Sequence, residues 1–459
     1  MLFNGNNILI SFSCQQYQCN NYEIFENNET GIEEECLARF HSTLSTEVVC
    51  CPYCGGKVNI CGEETTYLKD MPIFAGIPQG CLVNYHRYRC NECRKKFTED
   101  VSLSYPGTRV TNRAARWIET LLKCGMTTSA VNRITGIHWD TIRKIHKDTM
   151  EKSLAERKAE LKAKGYRPEY LAVDEFAIHK GHTYATCVLD LVEGDVIWVG
   201  KGRSMEDFAA FFRETDREYL SKVKAVAMDM NASYNKLIEA NMPHAEIVYD
   251  RYHMQAQFGR DVLGSVRLEE ARSHQTAAKE LDVKVAETPD SSERKQLKAE
   301  AREQRHLYTA LKKSRWTLLM NSENLPDWKL DDLNQILNDH ANLAVCYAMK
   351  EEMCDLFELT NENEARTRWT AWFEAAKASD IPALIKFASQ KERRLEGLIA
   401  HSRHPISTGK LEGLNNKIKV CKRIGYGYRD DDYFFTLIRF ISLPSQTSLA
   451  QSNVKNQFF

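Results

Sequence analysis

The sequence predicts a multidomain protein with an α/β core that is interrupted by an all-α segment and preceded by a cysteine-rich module and a basic helical module. Two apolar runs that end in Asp174 and Asp229 predict strands at the edge of a sheet. The stretch 265–396 contains no glycine, which favours long helices with few turns. A chain of 459 residues is also too long for one compact domain, and its length is typical of about three.

The composition is that of an ordinary globular protein, with 43% hydrophobic and 27% charged residues. No apolar run approaches the roughly 18 residues of a membrane span, and the N-terminal segment lacks the basic region of a signal peptide. We therefore expect a cytoplasmic protein without a membrane partner. Fifteen cysteines, an odd number, argue against a disulfide framework there and leave some of them for metal binding.

Charge is distributed unevenly along a chain whose formal net charge is only -1. Residues 23–47 hold seven Glu and one basic residue, whereas residues 107–150 hold eight Lys/Arg against three acids. Residues 409–429 hold six Lys/Arg and the single acid Glu412. Basic patches on a neutral chain indicate defined contact surfaces, with nucleic acid as the expected partner.

Changes in composition divide the chain into seven segments. They are, in order, a polar, acidic leader (1–47), a cysteine-rich segment (48–104), a basic helical segment (105–165), a segment of alternating strands and helices (166–257), a helical segment (258–400), a mixed segment (401–445) and a polar tail (446–459). We expect the leader to be poorly ordered, apart from a short strand at Asn7–Phe12.

Two Cys-x-x-Cys pairs, Cys51/Cys54 and Cys90/Cys93, predict a zinc ribbon with one structural Zn²⁺. Each pair forms a knuckle that offers two thiolates to a tetrahedral ion. The 35 intervening residues are more than such a site needs, so a hairpin insertion is expected. The rival ligands are Cys50, Cys61 and Cys81. Basic residues crowd the second knuckle, where they would contact phosphate, and they include Arg87 and Arg89.

The basic segment predicts a helix-turn-helix domain. Its helices are expected at about Asn112–Cys124, from Thr128 through Arg133, and from Asp140 or Thr141 to about Met150, with a turn at residues 135–137. In the third helix Ile142 and Ile145 would face the core. The residues expected to face outward, as in a recognition helix that enters the major groove, are Thr141, Arg143, Lys144 and Lys147. An ordinary three-helix packing unit is the alternative.

The α/β segment predicts three strands, a helix, a strand, a helix and a strand, which is the order of an RNase H-like domain. If Asp174 and Asp229 lie on adjacent central strands, their carboxylates can bind two Mg²⁺ or Mn²⁺ ions about 3.5–4 Å apart. Such ions activate a water or a 3′-hydroxyl. Strand alternation points Glu175 to the other face, so we interpret it as structural.

A third carboxylate is expected on a later helix, where Thr408 caps the segment that contains Glu412. Asn416 and Lys419 share a face with Glu412 and suit a phosphate backbone. The predicted fold class is thus an α/β RNase H-like catalytic core interrupted by an all-α insertion and preceded by a zinc ribbon and a helix-turn-helix domain.

Several motifs together resemble the DDE transposases of bacterial insertion sequences, most closely the ISL-three family, over about residues 48–445. They are CPYCGG, CNECRKKFTE, LAVDEFAIHKGHTYATCVLDL, AVAMDMNASY, VYDRYHM and, the most specific, HPISTGKLEGLNNKIKVCKRIGYGYRD. The resemblance implies that Asp174, Asp229 and Glu412 form a metal-binding catalytic triad. It also implies that the ribbon and the helix-turn-helix bind terminal inverted repeats, and that a homodimer or larger synaptic complex acts on target DNA at the bacterial nucleoid.

The resemblance extends to residues outside the triad. Basic and amide groups of the last motif are expected to contact DNA, namely Asn416, Lys419, Lys422 and Arg423. Asp250 and His253 resemble an auxiliary motif that contacts the bent or flipped DNA end, although a helix N-cap beside a histidine explains them equally well. Trp316, Trp369 and Trp372 are candidates for stacking on an extruded base, with core packing as the alternative.

The expected activity is hydrolysis at the ends of the element, followed by attack of the freed 3′-hydroxyls on target DNA. One rival is a domesticated transposase that acts as a non-catalytic, sequence-specific DNA-binding regulator. Another is an RNase H-like nuclease without strand transfer.

Overall fold

The computed structural model describes residues 17–26, 33–42, 44, 49–72, 79–179 and 183–444. These residues form two compact units, one from the N-terminal part through Leu161 with Cys421–Phe440, the other from Lys162–Val420 with the residues from Ile441 onward. The expected strand at Asn7–Phe12 and the tail 446–459 lie outside the described residues. Across the described ranges, no helix combines the length and apolar character needed to cross a membrane.

A five-stranded sheet forms the first part of the first unit. Its strands are β1 (Tyr17–Glu26), β2 (Glu33–Ser42), β3 (Val58–Asp70), β4 (Gln79–Cys90) and β5 (Lys96–Thr98), in the order β1-β2-β4-β3 with β5 also paired to β4. We expected the leader to be poorly ordered, but it supplies β1 and β2. Phe40 of β2 is buried beside Val83 of β4, a long-range contact that polar composition does not reveal.

Three helices follow in the first unit, namely α1 (Asn112–Lys123), α2 (Thr128–Thr135) and α3 (Trp139–Ala163). Thr111 and Thr127 cap α1 and α2 through their side chains, and Gly136 ends α2 in the left-handed conformation. The third helix begins at Trp139 and continues well past the predicted end near Met150. Residues 151–163 contain neither glycine nor proline and are strong helix formers, so nothing stops the helix there.

The second unit contains a mixed sheet with the strand order β10-β9-β6-β7-β8. Its strands are β6 (Tyr170–His179), β7 (Thr183–Asp190), β8 (Val196–Lys201), β9 (Ala225–Met228) and β10 (Glu246–Tyr249), with α4 (Met205–Glu214) and α5 (Ala232–Asn241) between them. β6, β7 and β8 form an antiparallel meander, whereas β9 and β10 run parallel to β6. β6 does not end at Asp174 as predicted, because antiparallel pairing with β7 carries it to His179.

A helical segment follows β10 and contains the glycine-free stretch. Its elements are α6 (Arg251–Phe258), a π-helical turn (Gly259–Leu263), α7 (Gly264–Glu287), α8 (Ser291–Lys313), α9 (Arg315–Leu319), a 3-10 turn (Ser322–Asn324), α10 (Asp327–Asp339), α11 (Ala341–Leu356), α12 (Glu362–Lys377), α13 (Pro382–Lys391), a 3-10 turn (Glu392–Arg394) and α14 (Leu395–Arg403). The last two helices are α15 (Gly409–Ile424) and α16 (Asp431–Ser442). Phe258, Trp369 and Trp372 lie in a core that the helical segment shares with Met230 and Tyr249.

Candidate active site and thiolate centre

The two aspartates that follow the apolar runs, one within β6 and one just after β9, lie side by side. β6 and β9 are parallel neighbours in which Val173 pairs with Met228, so the next residues, Asp174 and Asp229, occupy adjacent positions. His253 of α6 lies between them, with Nε2 3.9 Å from Asp174 Oδ1 and Nδ1 3.8 Å from Asp229 Oδ2. Adjacent strands thus bring together two carboxylates that are distant in sequence, as the strand order predicts.

Asp174 sits in a mostly buried position with directed hydrogen bonds. Its Oδ1 accepts from the backbone N–H of Glu175 at 2.8 Å, and its Oδ2 accepts from the Asn415 side-chain amide at 2.8 Å. Burial raises the pKa of Asp174, while those donors and the nearby His253 oppose the rise. Additional positive charge near Asp174 would therefore favour its ionised form. Asp229 is more open, with 42% of its side chain exposed.

Helix α15 approaches the aspartates through Asn415, which the sequence did not single out. Glu412 lies three residues earlier and therefore next to Asn415 along one side of the helix. Glu412 is exposed, and the carboxylates of Asp174, Asp229 and Glu412 are not among the described groups whose ligand atoms all lie within 4.8 Å. The structure thus places α15 in contact with Asp174, but the three carboxylates do not lie within 4.8 Å of one another.

The donors around Asp174 suit a hard cation. Carboxylate and amide oxygens are the ligands that Mg²⁺ and Mn²⁺ prefer. The Asn415 side-chain oxygen is buried and has no hydrogen-bond partner among the described residues, although the Asn415 amide nitrogen is bound to Asp174. A buried oxygen without a partner beside a mostly buried carboxylate is an arrangement that a cation would stabilise.

Asp250 joins the start of α6 to the start of α15. Its Oδ1 accepts from the backbone N–H of His253 at 3.1 Å, which caps α6. Its Oδ2 accepts from the Thr408 backbone N–H at 2.9 Å and hydroxyl at 2.7 Å, and the Thr408 carbonyl accepts from the Glu412 N–H at 2.8 Å. The Asp250 side chain is buried, so its helix-cap role is observed and direct DNA contact by Asp250 is not supported.

Lys391 of α13 is a second residue that sequence reasoning missed. Its buried ammonium group donates to Gln257 and lies 3.3 Å from the Met230 sulfur. Burial and Arg394 lower the pKa of Lys391, whereas Asp229 opposes that change. Lys391 also lines a polar groove of about 820 Å³ with Arg393, Arg394 and Arg403. No local pattern in the sequence connects α13 with Asp229.

The predicted recognition helix α3 makes more intramolecular contacts than expected. Arg143 pairs with Asp430 and lies 4.8 Å from the ring centre of Tyr433, so this predicted DNA contact is directed at α16. Lys144 and Lys147 form surface ion pairs one turn along the helix at 2.7 and 3.8 Å, with Asp148 and Glu151 as the partners. Thr141 is half-buried.

The remaining predicted DNA-binding residues are largely accessible. Arg87 and Arg89 are exposed on β4, and Arg87 lies 3.6 Å from Glu64. Of the predicted DNA-binding residues on α15, Asn416, Lys419 and Arg423 are exposed, whereas Lys422 is half-buried and burial lowers its pKa.

Of the three tryptophans proposed to stack on a base, Trp369 and Trp372 are buried in the core, while Trp316 is 67% exposed. Core packing thus accounts for the first two.

Four cysteine sulfurs form a compact cluster in the first unit. Cys51, Cys54, Cys90 and Cys93 each offer a sulfur within 4.8 Å of all the others, with Cys51–Cys93 at 3.6 Å and Cys54–Cys90 at 3.5 Å. Tetrahedral zinc with bonds of about 2.3 Å places its sulfurs about 3.8 Å apart, so the cluster fits. The rival ligands Cys50, Cys61 and Cys81 lie outside the cluster.

Backbone donors support a thiolate at the second knuckle. The N–H groups of Glu92 and Cys93 both donate to the Cys90 sulfur at 3.4 Å. Burial opposes ionisation, yet hydrogen bonds from Cys93 and Glu92 lower the pKa of Cys90 to about 7. A sulfur that ionises near neutral pH is a suitable zinc ligand.

Sequence comparisons relate the chain to transposases. A family profile of the ISL-three type, described as "Transposase", matches residues 171–438. The transposase for insertion sequence element IS1001 of Bordetella parapertussis is 34% identical over 398 residues, which cover 86% of this chain and 89% of that relative. The transposase for insertion sequence element IS1557 of Mycobacterium tuberculosis is 24% identical over 269 residues, or 58% of each chain.

We expect Cys54→Ser to remove about one zinc ion per chain and to loosen the sheet around residues 49–99, because a ribbon with a small core takes its folding energy from the metal. Zinc content by atomic emission and protease sensitivity measure both effects. Cys61→Ser is the matched control and should retain the zinc. Equal zinc loss in the two variants would contradict the four-cysteine assignment.

We expect Thr408→Val to lower the free energy of unfolding of the second unit by about 1.5–3 kcal/mol, because it removes one hydrogen bond to a buried carboxylate. Urea unfolding followed by tryptophan fluorescence measures the change. Thr367→Val removes an exposed hydroxyl that bonds only within α12, so this control should stay within about 0.5 kcal/mol of the wild type. Equal stability of the two variants would refute the joining role of Asp250.

Proposed function

The chain belongs to the ISL-three family of DDE transposases, and from this premise we propose that Asp174, Asp229 and Glu412 are its catalytic triad. The observation that carries the proposal is the pair of adjacent aspartates on parallel strands, approached by the helix that bears Glu412. In the proposed reaction the protein hydrolyses phosphodiester bonds at the ends of an insertion sequence. It then joins the freed 3′-hydroxyls to target DNA.

We propose that the second unit has an RNase H-like core interrupted by the helical segment. A three-stranded antiparallel meander followed by two strands parallel to β6 supports this assignment. The helical segment begins after β10 and ends before α15. It therefore separates Asp229 from Glu412 in sequence but adds no strand to the sheet. The arrangement explains how a residue 183 positions further along the chain can serve the same site.

Asp174, Asp229 and Glu412 would hold two Mg²⁺ or Mn²⁺ ions, with the Asn415 oxygen as an added donor. Such ions lower the pKa of a bound water or hydroxyl and neutralise charge on the leaving oxygen. The protein's own contribution is to favour the ionised form of Asp174 in a mostly buried position, through donors from Glu175 and Asn415. Because α15 carries both Asn415 and Glu412, movement of this helix would set the distance of Glu412 from the aspartates.

His253 is proposed to orient the two aspartates. Its two ring nitrogens lie 3.9 and 3.8 Å from Asp174 and Asp229, which is too far for strong hydrogen bonds but close enough for electrostatic attraction when the ring is protonated. The helix cap by Asp250 holds the backbone of His253 in place. Asp250 is therefore a positioning residue, and it acts on both His253 and Glu412.

DNA recognition is proposed to use the first unit and α15. The ribbon presents Arg87 and Arg89, and exposed groups on α15 suit phosphate contacts. In the helix-turn-helix, Lys144 and Lys147 are surface residues whose ion pairs are weak enough to exchange for phosphate. Since two element ends must be paired, we propose that a homodimer or larger assembly carries out the reaction.

We expect Glu412→Gln to reduce cleavage and strand transfer at least about a hundredfold, because it removes a charged metal ligand that stabilises the transition state by several kcal/mol. Binding to the terminal repeats should stay within about twofold. Gel assays of cleavage, joining and binding on repeat-bearing oligonucleotides measure the three steps, and exposed Glu280→Gln is the control. Wild-type activity of Glu412→Gln would refute the triad. A wild-type protein that binds the repeats but does not cut would favour the regulator.

We expect Asn415→Leu to shift the acid limb of the pH–activity profile upward by about one pH unit. Burial already raises the pKa of Asp174, and loss of a donor to the ionised form raises that pKa further, so activity is lost at a higher pH as the solution is acidified. Cleavage rates at fixed Mg²⁺ across pH measure the shift. Asn334→Leu, at an exposed site on α10, is the control. An unchanged profile in Asn415→Leu would contradict the role of Asn415.

A further inference from the structure

A second cluster of metal-ligating side chains lies in the helical segment, away from the aspartates. Glu270 and His274 lie one turn apart on α7, and His340 lies at the junction of α10 and α11. One ligand atom from each residue lies within 4.8 Å of the other two, and the two Nε2 atoms are 2.9 Å apart. His340 is buried, while Glu270 and His274 are half-buried.

The hydrogen bonds of the two rings determine which nitrogens carry protons. His340 Nδ1 lies 2.8 Å from the Ile336 carbonyl oxygen, which can only accept, so this nitrogen carries a hydrogen. His274 Nδ1 lies 2.6 Å from the Gln304 side-chain oxygen and is likewise a donor. In the neutral rings both Nε2 atoms then present lone pairs to each other. At 2.9 Å such a pair needs either a shared proton or a cation.

Carbonyl and amide partners on the far ring nitrogen are also the usual supports of metal-binding histidines, because they fix the tautomer and the ring orientation. Within the described residues the Glu270 carboxylate has no hydrogen-bond or ion-pair partner. One of its oxygens nevertheless lies within 4.8 Å of a ring nitrogen of each histidine. Two imidazoles and one carboxylate match a zinc site with three protein ligands and one open position. Imidazole ligands favour Zn²⁺ over Mg²⁺.

We propose that Glu270, His274 and His340 bind a transition-metal dication of the zinc class, with water as the fourth ligand. Zinc–nitrogen bonds of about 2.0–2.1 Å place the two Nε2 atoms about 3.3 Å apart, so the rings need to separate by only a few tenths of an ångström. This site is separate from both the cysteine cluster and the aspartates.

The ion would brace the helical segment. α7 and α8 form a long hairpin that buries few side chains, among them Ala271, Ala278 and Ala301. A metal at Glu270 and His274 ties α7 to the junction of α10 and α11, where the helical core continues. Bound metal is therefore expected to stabilise the second unit by mass action.

The test is metal binding by the purified full-length chain, first stripped with a chelator and then supplied with Zn²⁺ or Co²⁺. The wild type should bind about one more zinc than His274→Gln or Glu270→Gln, with the His–Glu site as the one lost. Cobalt bound by cysteine shows thiolate-to-metal charge-transfer absorption, whereas cobalt bound by nitrogen and oxygen shows only ligand-field bands. The charge-transfer bands should be unchanged in both variants, so the cysteine cluster is monitored separately.

His306→Gln, at an exposed histidine on α8, is the matched control and should bind as much metal as the wild type. Equal metal content in His274→Gln and His306→Gln would overturn the proposal, and the two histidines would then share a proton. If His274→Gln does not fold, Glu270→Gln takes its place, and metal content equal to that of His306→Gln would again overturn the proposal.

Discussion

The second unit depends on the buried carboxylate of Asp250, because it joins two chain segments that are 158 residues apart. One oxygen caps α6, and the other accepts two hydrogen bonds from Thr408 just before α15. Separating the segments would leave one buried oxygen of Asp250 without its two donors from Thr408, which costs about 1–3 kcal/mol. The start of α15, one turn before Glu412, is therefore held to the start of α6 by this one side chain.

The helical segment can be long because its helices supply most of the residues of a large core. Loop-closure entropy grows slowly with chain length, so a large insertion costs little if it folds by itself. Trp369 and Trp372 supply a large part of the buried aromatic area in this core, which also includes Tyr249 of β10. At Gly397, the first glycine after the glycine-free stretch, α14 comes so close to β10 that a Cβ would lie 2.4 Å from the Tyr249 ring. Only glycine permits this approach without a shift.

The first unit also contains a buried aspartate that accepts a hydrogen bond from a threonine hydroxyl. Asp70, at the end of β3, is buried and accepts a hydrogen bond from the Thr111 hydroxyl at 2.5 Å, and it also pairs with Arg113. Thr111 caps α1, so the sheet and the three helices are joined through a carboxylate at a helix start. In both units, a buried aspartate accepts a hydrogen bond from the hydroxyl of a threonine just before a helix.

The sequence by itself determined what is encoded in local pattern. The two aspartates that follow apolar runs and the paired cysteines are each recognised within a few residues, because hydrophobic period and knuckle spacing are short-range. Glu412 was inferred from family resemblance, since a lone glutamate on a helix carries no signal of its own. The tertiary structure alone decided that β1 and β2 join a sheet, that Asn415 rather than Asn416 contacts Asp174, and that Arg143 turns to Asp430. It also brought His274 to His340. Those outcomes depend on contacts between distant segments, whose geometry is set by the packing of whole elements.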